Sequence, residues 1–296
     1  MSSASVPHPR RRPRRWRLPL MLLALAAWLL AIPAAWAGSE LIFGIYTSEK
    51  ASHLVEQFRP VLDEIQTLLA GDGGSPLHIR MLVSPSYEEG IDHLVHGTVD
   101  FARMGPASYL AAEQRNPSIT PLAVEKDKGG KFFNGVIFTR ADSGIHTLQD
   151  LRGKKFAFGD DQSTIGRYLS QHALMQSGIL ARDLAHHAYL GRHDAVGSAV
   201  LHGGYDAGAV KEDVFHRLVK EGHKLTLLAT FSNVTGPWVA RGGLDAEVFQ
   251  RLRAALLALK RPEVLAIMGK EGFLPTSPED FQLVREAVRA NPRFFQ

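Results

Sequence analysis

Cysteine is absent from all 296 residues. That excludes disulfides, a cysteine nucleophile, a thiolate metal centre and lipid attachment through an N-terminal cysteine. The chain also lacks a GxSxG elbow, a Walker A loop and a GxGxxG fingerprint, which removes the usual sequence support for hydrolase, nucleotide-hydrolysing and dinucleotide chemistry. No short internal repeat and no low-complexity tract runs through its body. The apolar run at 18–33 is shorter than the roughly 20 residues a membrane span needs.

Acid is missing from the N-terminus altogether. Six arginines (Arg10, Arg11, Arg12, Arg14, Arg15, Arg17) come before the first acid, Glu40. Basic stretch, apolar run and then Ala35-Trp36-Ala37 is the layout of a secretory signal, predicted to be cleaved after Ala37 and to deliver the protein to the periplasm. Arg14-Arg15 fits a twin-arginine signal only loosely. The formal charge of +4 is therefore misleading: with those six of the 34 basic residues gone, 28 face 30 acids, giving −2. A near-neutral body gives no support for nucleic-acid binding. In an oxidising compartment without cysteines, core burial alone has to hold the fold.

What is present is alternation. Strand-like runs at 41–45, 77–83, 99–104, 154–158, 187–190, 206–210, 225–230 and 238–241 are interleaved with helical patterns. The clearest is Leu54, Phe58, Leu62, Ile65 and Leu69, one apolar stripe interrupted by Pro60, where a kink or an early-turn position is expected. Further helices are expected at 87–96, 106–115, 164–177, 194–202, 211–220, 245–260, 262–270 and 278–290. This order predicts an α/β protein of mostly parallel, helix-flanked sheets. A polar loop at 126–131 followed by the extended run 133–139 suggests a crossing between two lobes, with the return near 230–239. The expected division is 1–37 signal, 38–138 with 235–296 as lobe 1, and 139–234 as lobe 2, the C-terminal helices packing back on the first lobe.

In open α/β sheets ligands bind beyond the carboxyl ends of strands. Those positions hold Tyr46, Thr47 and Ser48, then Ser84, Ser86 and Tyr87, then Gly105-Pro106-Ala107-Ser108 with Arg103 before them. The later strands end at Ser163 and Thr164, at Arg192 and His193, and at Lys211 and Glu212. A helix cap such as Ser163 or Thr164 beside Gly166 can aim hydroxyls and backbone N–H groups at an anion, helped by the helix dipole. One such cap by itself is an ordinary helix start. Four strand ends with the same chemistry point to an oxyanion site.

The segments KKFAFGDDQSTIG, VDFARMGPASYLAA, SPSYEEGIDHLVHG and GRHDAVGSAVLHGGYDAGAV resemble the phosphonate/phosphite/phosphate periplasmic binding proteins of ABC importers, over nearly all of 40–290. The resemblance implies a two-lobed, type II, hinge-bending periplasmic binding protein fold and phosphoryl binding in its cleft. Carried over by motif, Tyr87, Ser163, Thr164 and His193 would hold the oxyanion. Tyr46, Thr47, Arg103, Ser108 and Glu212 complete the expected ligand set. Ile165 stands where many relatives have a second serine after the threonine, so one hydroxyl is missing. Relatives that bind aminoethylphosphonate place acids round the amine. Glu212 matches one such acid, but Gly236 stands where another is expected, which disfavours an amine-bearing substrate. Met104 replaces an aromatic that often precedes the Gly-Pro segment.

The expected partners are a small anionic ligand and an ABC permease, or in the alternative a membrane sensor kinase. The receptor is expected to be a monomer without cofactor, metal or catalytic residues. His186, His187 and His193 match no metal spacing. Asp160-Asp161 and Glu88-Glu89 read as solvated acids, and nothing places Asp160 and His172 as a relay to Ser163.

Overall fold

A computed structural model describes residues 39–46, 51–71 and 73–296. The expected signal segment and Thr47 lie outside the described residues. The apolar stripe does form a helix, α1 (Ala51–Gly71), whose Leu54, Phe58, Leu62, Ile65 and Leu69 are all buried and which continues through Pro60. It connects β1 (Ser39–Tyr46) to β2 (Leu77–Ser84), and α2 (Tyr87–Val95) connects β2 to β3 (Phe101–Arg103). After α3 (Pro106–Arg115) comes β4 (Thr120–Lys126), then β5 (Phe132–Arg140) and β6 (Lys155–Phe158). A π-helical turn, Thr164–Leu169, runs directly into α4 (Ser170–Gln176). Then follow β7 (His186–Tyr189), α5 (His193–Leu201), β8 (Ala207–Lys211), α6 (Glu212–Lys220), β9 (Leu225–Val234) and β10 (Pro237–Ala240). The chain closes with α7 (Ala246–Ala258), α8 (Pro262–Ile267), β11 (Gly272–Leu274) and α9 (Gln282–Ala290).

The strands form two sheets, ordered β11-β4-β10-β3-β1-β2 and β7-β6-β8-β5-β9. Both are mixed rather than mostly parallel. β1 is parallel to β2 and β3, and β6 is parallel to β7 and β8, but every pairing of β4, β5 and β10 is antiparallel. Parallel neighbours need a crossover such as a helix; β9 passes into β10, on the other sheet, through Thr235 and Gly236 alone. Two strands, β4 and β11, had no counterpart in the sequence reading. Pro121 and the charges of Glu125 and Lys126 weaken the strand signal of β4, and its Pro121 lies at the register shift opposite β10, a place where a sheet tolerates proline.

The lobe division changes in two places. The run expected as a crossing is a full strand of the second sheet, with Phe132–Arg140 paired to β9 and its later half to β8. A boundary at 138/139 would cut that strand, and the chain leaves the first sheet at 127–131 instead. The C-terminus also does not stay with the first sheet. Phe294 is buried with Phe156 and Phe158 of β6, and Asn291 bonds Gln171 and Arg167. Beside the change-over, the Thr235 N–H donates to Lys131 O and the Glu125 N–H to Gly236 O, so the two connecting segments run side by side.

Candidate functional site

The parallel strands deliver their ends to one place. α3 opens at Gly105, which has no side chain to cap it. The cap comes from the other sheet: Thr164 Oγ1 accepts the Ala107 N–H at 3.0 Å. Ser163 Oγ accepts the Gly166 N–H at 3.0 Å and caps the π-helical turn. Tyr46, at the end of β1, accepts the Gly105 N–H at 2.6 Å and donates its own O–H to Ser108 Oγ at 2.8 Å.

These oxygens converge. A Cβ on Gly105 would stand 3.2 Å from Tyr46 Oη, 3.7 Å from Thr164 Oγ1 and 3.8 Å from Ser108 Oγ. A hydroxyl carries one donor proton and two acceptor lone pairs. Ser108, Ser163 and Thr164 each use a lone pair on an internal donor, which polarises the proton that each retains; Ser163 also bonds the Tyr87 hydroxyl. They are 2%, 9% and 6% exposed, so an anion meeting them would sit in a nearly dry setting where such bonds are strong.

The tyrosines are held as donors. The rings of Tyr46 and Tyr87 lie 4.3 Å apart, centroid to centroid. Tyr46 packs where a side chain on Gly90 would be, 2.6 Å from the Cβ such a residue would carry. Burial pushes both phenols above their ordinary value. The bonds from Ser108 and Gly105 draw Tyr46 back only in part, and the charge of Asp160 pushes Tyr87 further up. Both stay protonated at neutral pH.

His193 opens α5, and its Cε1 is 3.7 Å from the Cβ position of Gly159 in the same loop as Ser163. Burial first, and the Lys211 charge second, hold its imidazole down to about 3, while the Ala209 carbonyl draws it up. The ring is therefore neutral, and its buried Nδ1 has no hydrogen-bond partner among the described residues. Ile165, which stands where many relatives have a hydroxyl, packs against β5. It is 2% exposed, with its Cγ2 3.0 Å from the Cβ position of Gly135 on β5.

Arg103 lies close enough to Tyr46 and Tyr87 for its charge to act on both phenols, but its hydrogen bonds go elsewhere. Its guanidinium bonds the buried Glu125 in two places, at 2.9 and 3.1 Å. Burial would pull Arg103 down, but Glu125 outweighs it and keeps the arginine charged. Burial likewise pushes Glu125 up, and Arg103, Lys270 and the Trp238 N–H bring it below the ordinary carboxylate range. Glu212 is also not brought to the cluster by any hydrogen bond. It accepts from Asn134 Nδ2 at 3.0 Å and lies 3.8 Å from His216. The sequence reading missed Glu125, because β4 itself was missed. Lys211 was seen at a strand end but left out of the site.

An acidic groove of about 140 Å³ lies alongside, lined by Pro85, Ser86, Tyr87, Glu88, Asp160, Asp161 and Gln162. Gln162 Nε2 reaches across it to Glu88 at 3.2 Å. Burial, then Asp161, raises the Asp160 carboxyl above its ordinary value. Three acids make this groove a poor seat for an anion, so the hydroxyl cluster beside it is the better candidate.

Comparison with known proteins settles the lineage. Residues 43–281 match the family of ABC transporter, phosphonate, periplasmic substrate-binding proteins. The chain belongs to that family. PhnD1 of Prochlorococcus marinus (strain MIT 9301), a probable ABC transporter phosphite-binding protein, is 24% identical over 281 residues, 85% of this chain and 95% of that protein. The structure of XAC2383 from Xanthomonas citri bound to ATP has a TM-score of 0.73 at 26% identity, covering 86% of this chain and 98% of that one. The tetrathionate sensor histidine kinase TtrS of Salmonella typhimurium (strain LT2) is 30% identical over 162 residues, 53% of this chain and 26% of the kinase. Members of a phosphonate substrate-binding family serve in the periplasm and deliver a small ligand to a membrane permease; they are receptors, not enzymes. The two-sheet α/β fold described above is the fold of that family.

Proposed function

We propose that this receptor captures a tetrahedral phosphorus oxyanion (a phosphonate, phosphite or phosphate) through Tyr87, Ser108, Ser163, Thr164 and His193, with Tyr46 orienting Ser108. The observation that carries the reading is the convergence of polarised hydroxyls from both sheets on the space beside Gly105. With the lobes apart, the anion meets donors of one sheet. Bending at the paired segments beside Thr235 then brings the other set round it, and the closed shape is what a permease reads. Charge-assisted hydrogen bonds contribute roughly 1.5–3 kcal/mol each, so three or four account for binding near micromolar after ordering costs. The chain is exported as a monomer after cleavage behind Ala37, and it breaks no bond in its ligand.

Calorimetry of the purified protein against phosphate, phosphite, methylphosphonate, aminoethylphosphonate, sulfate and arsenate tests this. Micromolar binding of at least one phosphorus anion is expected. Indifference to all of them, with tight binding of a sugar, amino acid or cation, would sink the assignment.

A second reading is favoured by the likeness to the sensor kinase: the liganded receptor signals to a membrane kinase instead of feeding a permease. Deleting the gene separates the two. Loss of ligand uptake supports import, and loss of a transcriptional response with uptake intact supports sensing.

A further inference from the structure

Arg167 follows Ser163 and Thr164 by one turn, yet its side chain bonds neither hydroxyl. Its Nη1 donates to the Asp161 carbonyl at 2.7 Å, and its Nη2 to Asn291 Oδ1 at 2.8 Å. The first bond holds the loop that carries Ser163. The same loop is tied again by Asp160, whose carbonyl accepts the Ser163 N–H at 3.1 Å and whose carboxylate accepts the Gln162 N–H at 2.8 Å. The Ser163 carbonyl in turn accepts the Arg167 and Tyr168 N–H groups, at 3.1 and 3.3 Å, the second in the π-helical pattern.

The bond to Asn291 spans 124 residues and reaches the end of the chain. Asn291 is 3% exposed, and its amide donates to Gln171 Oε1 at 2.6 Å; the Gln171 amide donates to the Tyr189 hydroxyl at 2.8 Å. Three residues on, the buried Phe294 meets Phe158 edge-on with 5.7 Å between centroids, and Phe158 is the last residue before the Gly159 loop. The tail is thus seated in the core of the second sheet, at the foot of the loop that Arg167 holds. The rings of Tyr168, Tyr189 and Phe295 stand 4.9, 5.7 and 5.9 Å from the central guanidinium carbon. Aromatic faces at that range favour one placement of the planar group.

Arg167 also leaves its Nε buried without a partner among the described residues. An unpaired buried N–H is destabilising, so an arginine is a poor choice here for stability alone. What its planar fork supplies is two donors in fixed directions, one spent on the loop and one on the tail. We propose that Arg167 is a positioning residue for Ser163 and Thr164, held in place through Asn291, so that the tail at 291–296 sets the affinity for the anion without touching it. This rests on the phosphoryl reading above and deepens it.

Calorimetry with phosphate, phosphite and methylphosphonate tests the idea on the purified protein and its variants, with melting curves to check folding. Arg167→Met is expected to weaken the best-bound anion about tenfold, the value of one charge-assisted bond whose donor is no longer aimed. Asn291→Leu should weaken it about threefold or more, whereas Asn291→Asp, which still accepts from Arg167, should stay within about twofold of wild type. Arg167→Met and Asn291→Leu together should do no more than Arg167→Met alone, because both act through one bond. Arg152→Met is the control. It removes bonds to Asp183 and Gly178 on the same side of the molecule, and should lower the melting temperature with the dissociation constant unchanged. If Arg167→Met does not fold, the two Asn291 variants carry the comparison. Unchanged affinity in Arg167→Met and Asn291→Leu, equal losses in Asn291→Leu and Asn291→Asp, or a matching loss in Arg152→Met would overturn the inference and leave the phosphoryl site intact. Failure of all three anions to bind the wild type would overturn both.

Discussion

Thr164 caps a helix it does not belong to. Its hydroxyl accepts the Ala107 N–H from the opposite sheet, 57 residues away in sequence. The bond that satisfies α3 is thus also a tie across the site, and an anion arriving there competes for the same helix end. Thr164→Ala leaves a buried N–H unpaired, at a cost of about 1 kcal/mol. The melting temperature should fall by about 2–4 °C. With Ser163→Ala added, binding of the best phosphorus anion should weaken at least tenfold, as two charge-assisted bonds are lost. An unchanged dissociation constant in the double variant would remove both residues from the site.

Gly166 touches Gly159 backbone to backbone. A Cβ on Gly166 would lie 2.7 Å from Gly159 Cα and 3.0 Å from the Asp160 nitrogen. No flexible side-chain end is available to move aside. Gly166→Ala must therefore open the loop that aims Ser163, and a loss of binding well beyond tenfold is expected, together with a lower melting temperature. Gly105→Ala is the milder companion, since its nearest contact is a hydroxyl at 3.2 Å. Calorimetry on the pair should rank them in that order.

Stability should fall with acid because of His193. Its imidazole titrates at about 3 in the folded protein, against an ordinary 6.5. Between those values the unfolded chain binds a proton that the folded one refuses. The contribution is therefore complete above about pH 6.5 and is lost as pH falls towards 3, by at most about 1.4 kcal/mol per pH unit. Denaturant melts of wild type and His193→Gln from pH 7 to pH 4.5 should show a shallower decline in the variant. Parallel slopes would mean that His193 is protonated without penalty.

Glu125 neutralises two cations from a position 1% exposed. Glu125→Gln keeps the shape and removes the charge, leaving Arg103 without its acid and Lys270 with Asp127. Breaking a buried pair from one side costs about 3 kcal/mol or more. Urea titration should show a loss of that order. A loss below 1 kcal/mol would mean that solvent or Asp127 takes over the pairing.

Much of this could be read from the chain. Apolar stripes placed nearly every helix, because a helix must bury one face and its period survives in the sequence. Hydroxyls and glycines at strand ends picked out Tyr46, Tyr87, Ser108, Ser163 and Thr164, since those sites need special turns and caps. β4 was hidden because proline and two charges occupy a strand whose fitness is set by its neighbours. Glu125 was hidden with it. Arg103 was named as a site residue, but its pairing with Glu125 was not foreseen, because that acid lies 22 residues further on.

By itself the sequence determined the alternation of strands and helices, the near-neutral body behind a basic N-terminal stretch, and the chemical character of each strand end. Those properties are local, written in periods of two to four residues. Only the tertiary structure decided which ends meet, that Thr164 reaches Ala107 and that Arg103 pairs with Glu125. Pairing between distant segments follows from how two sheets are joined and closed, and no local pattern encodes it.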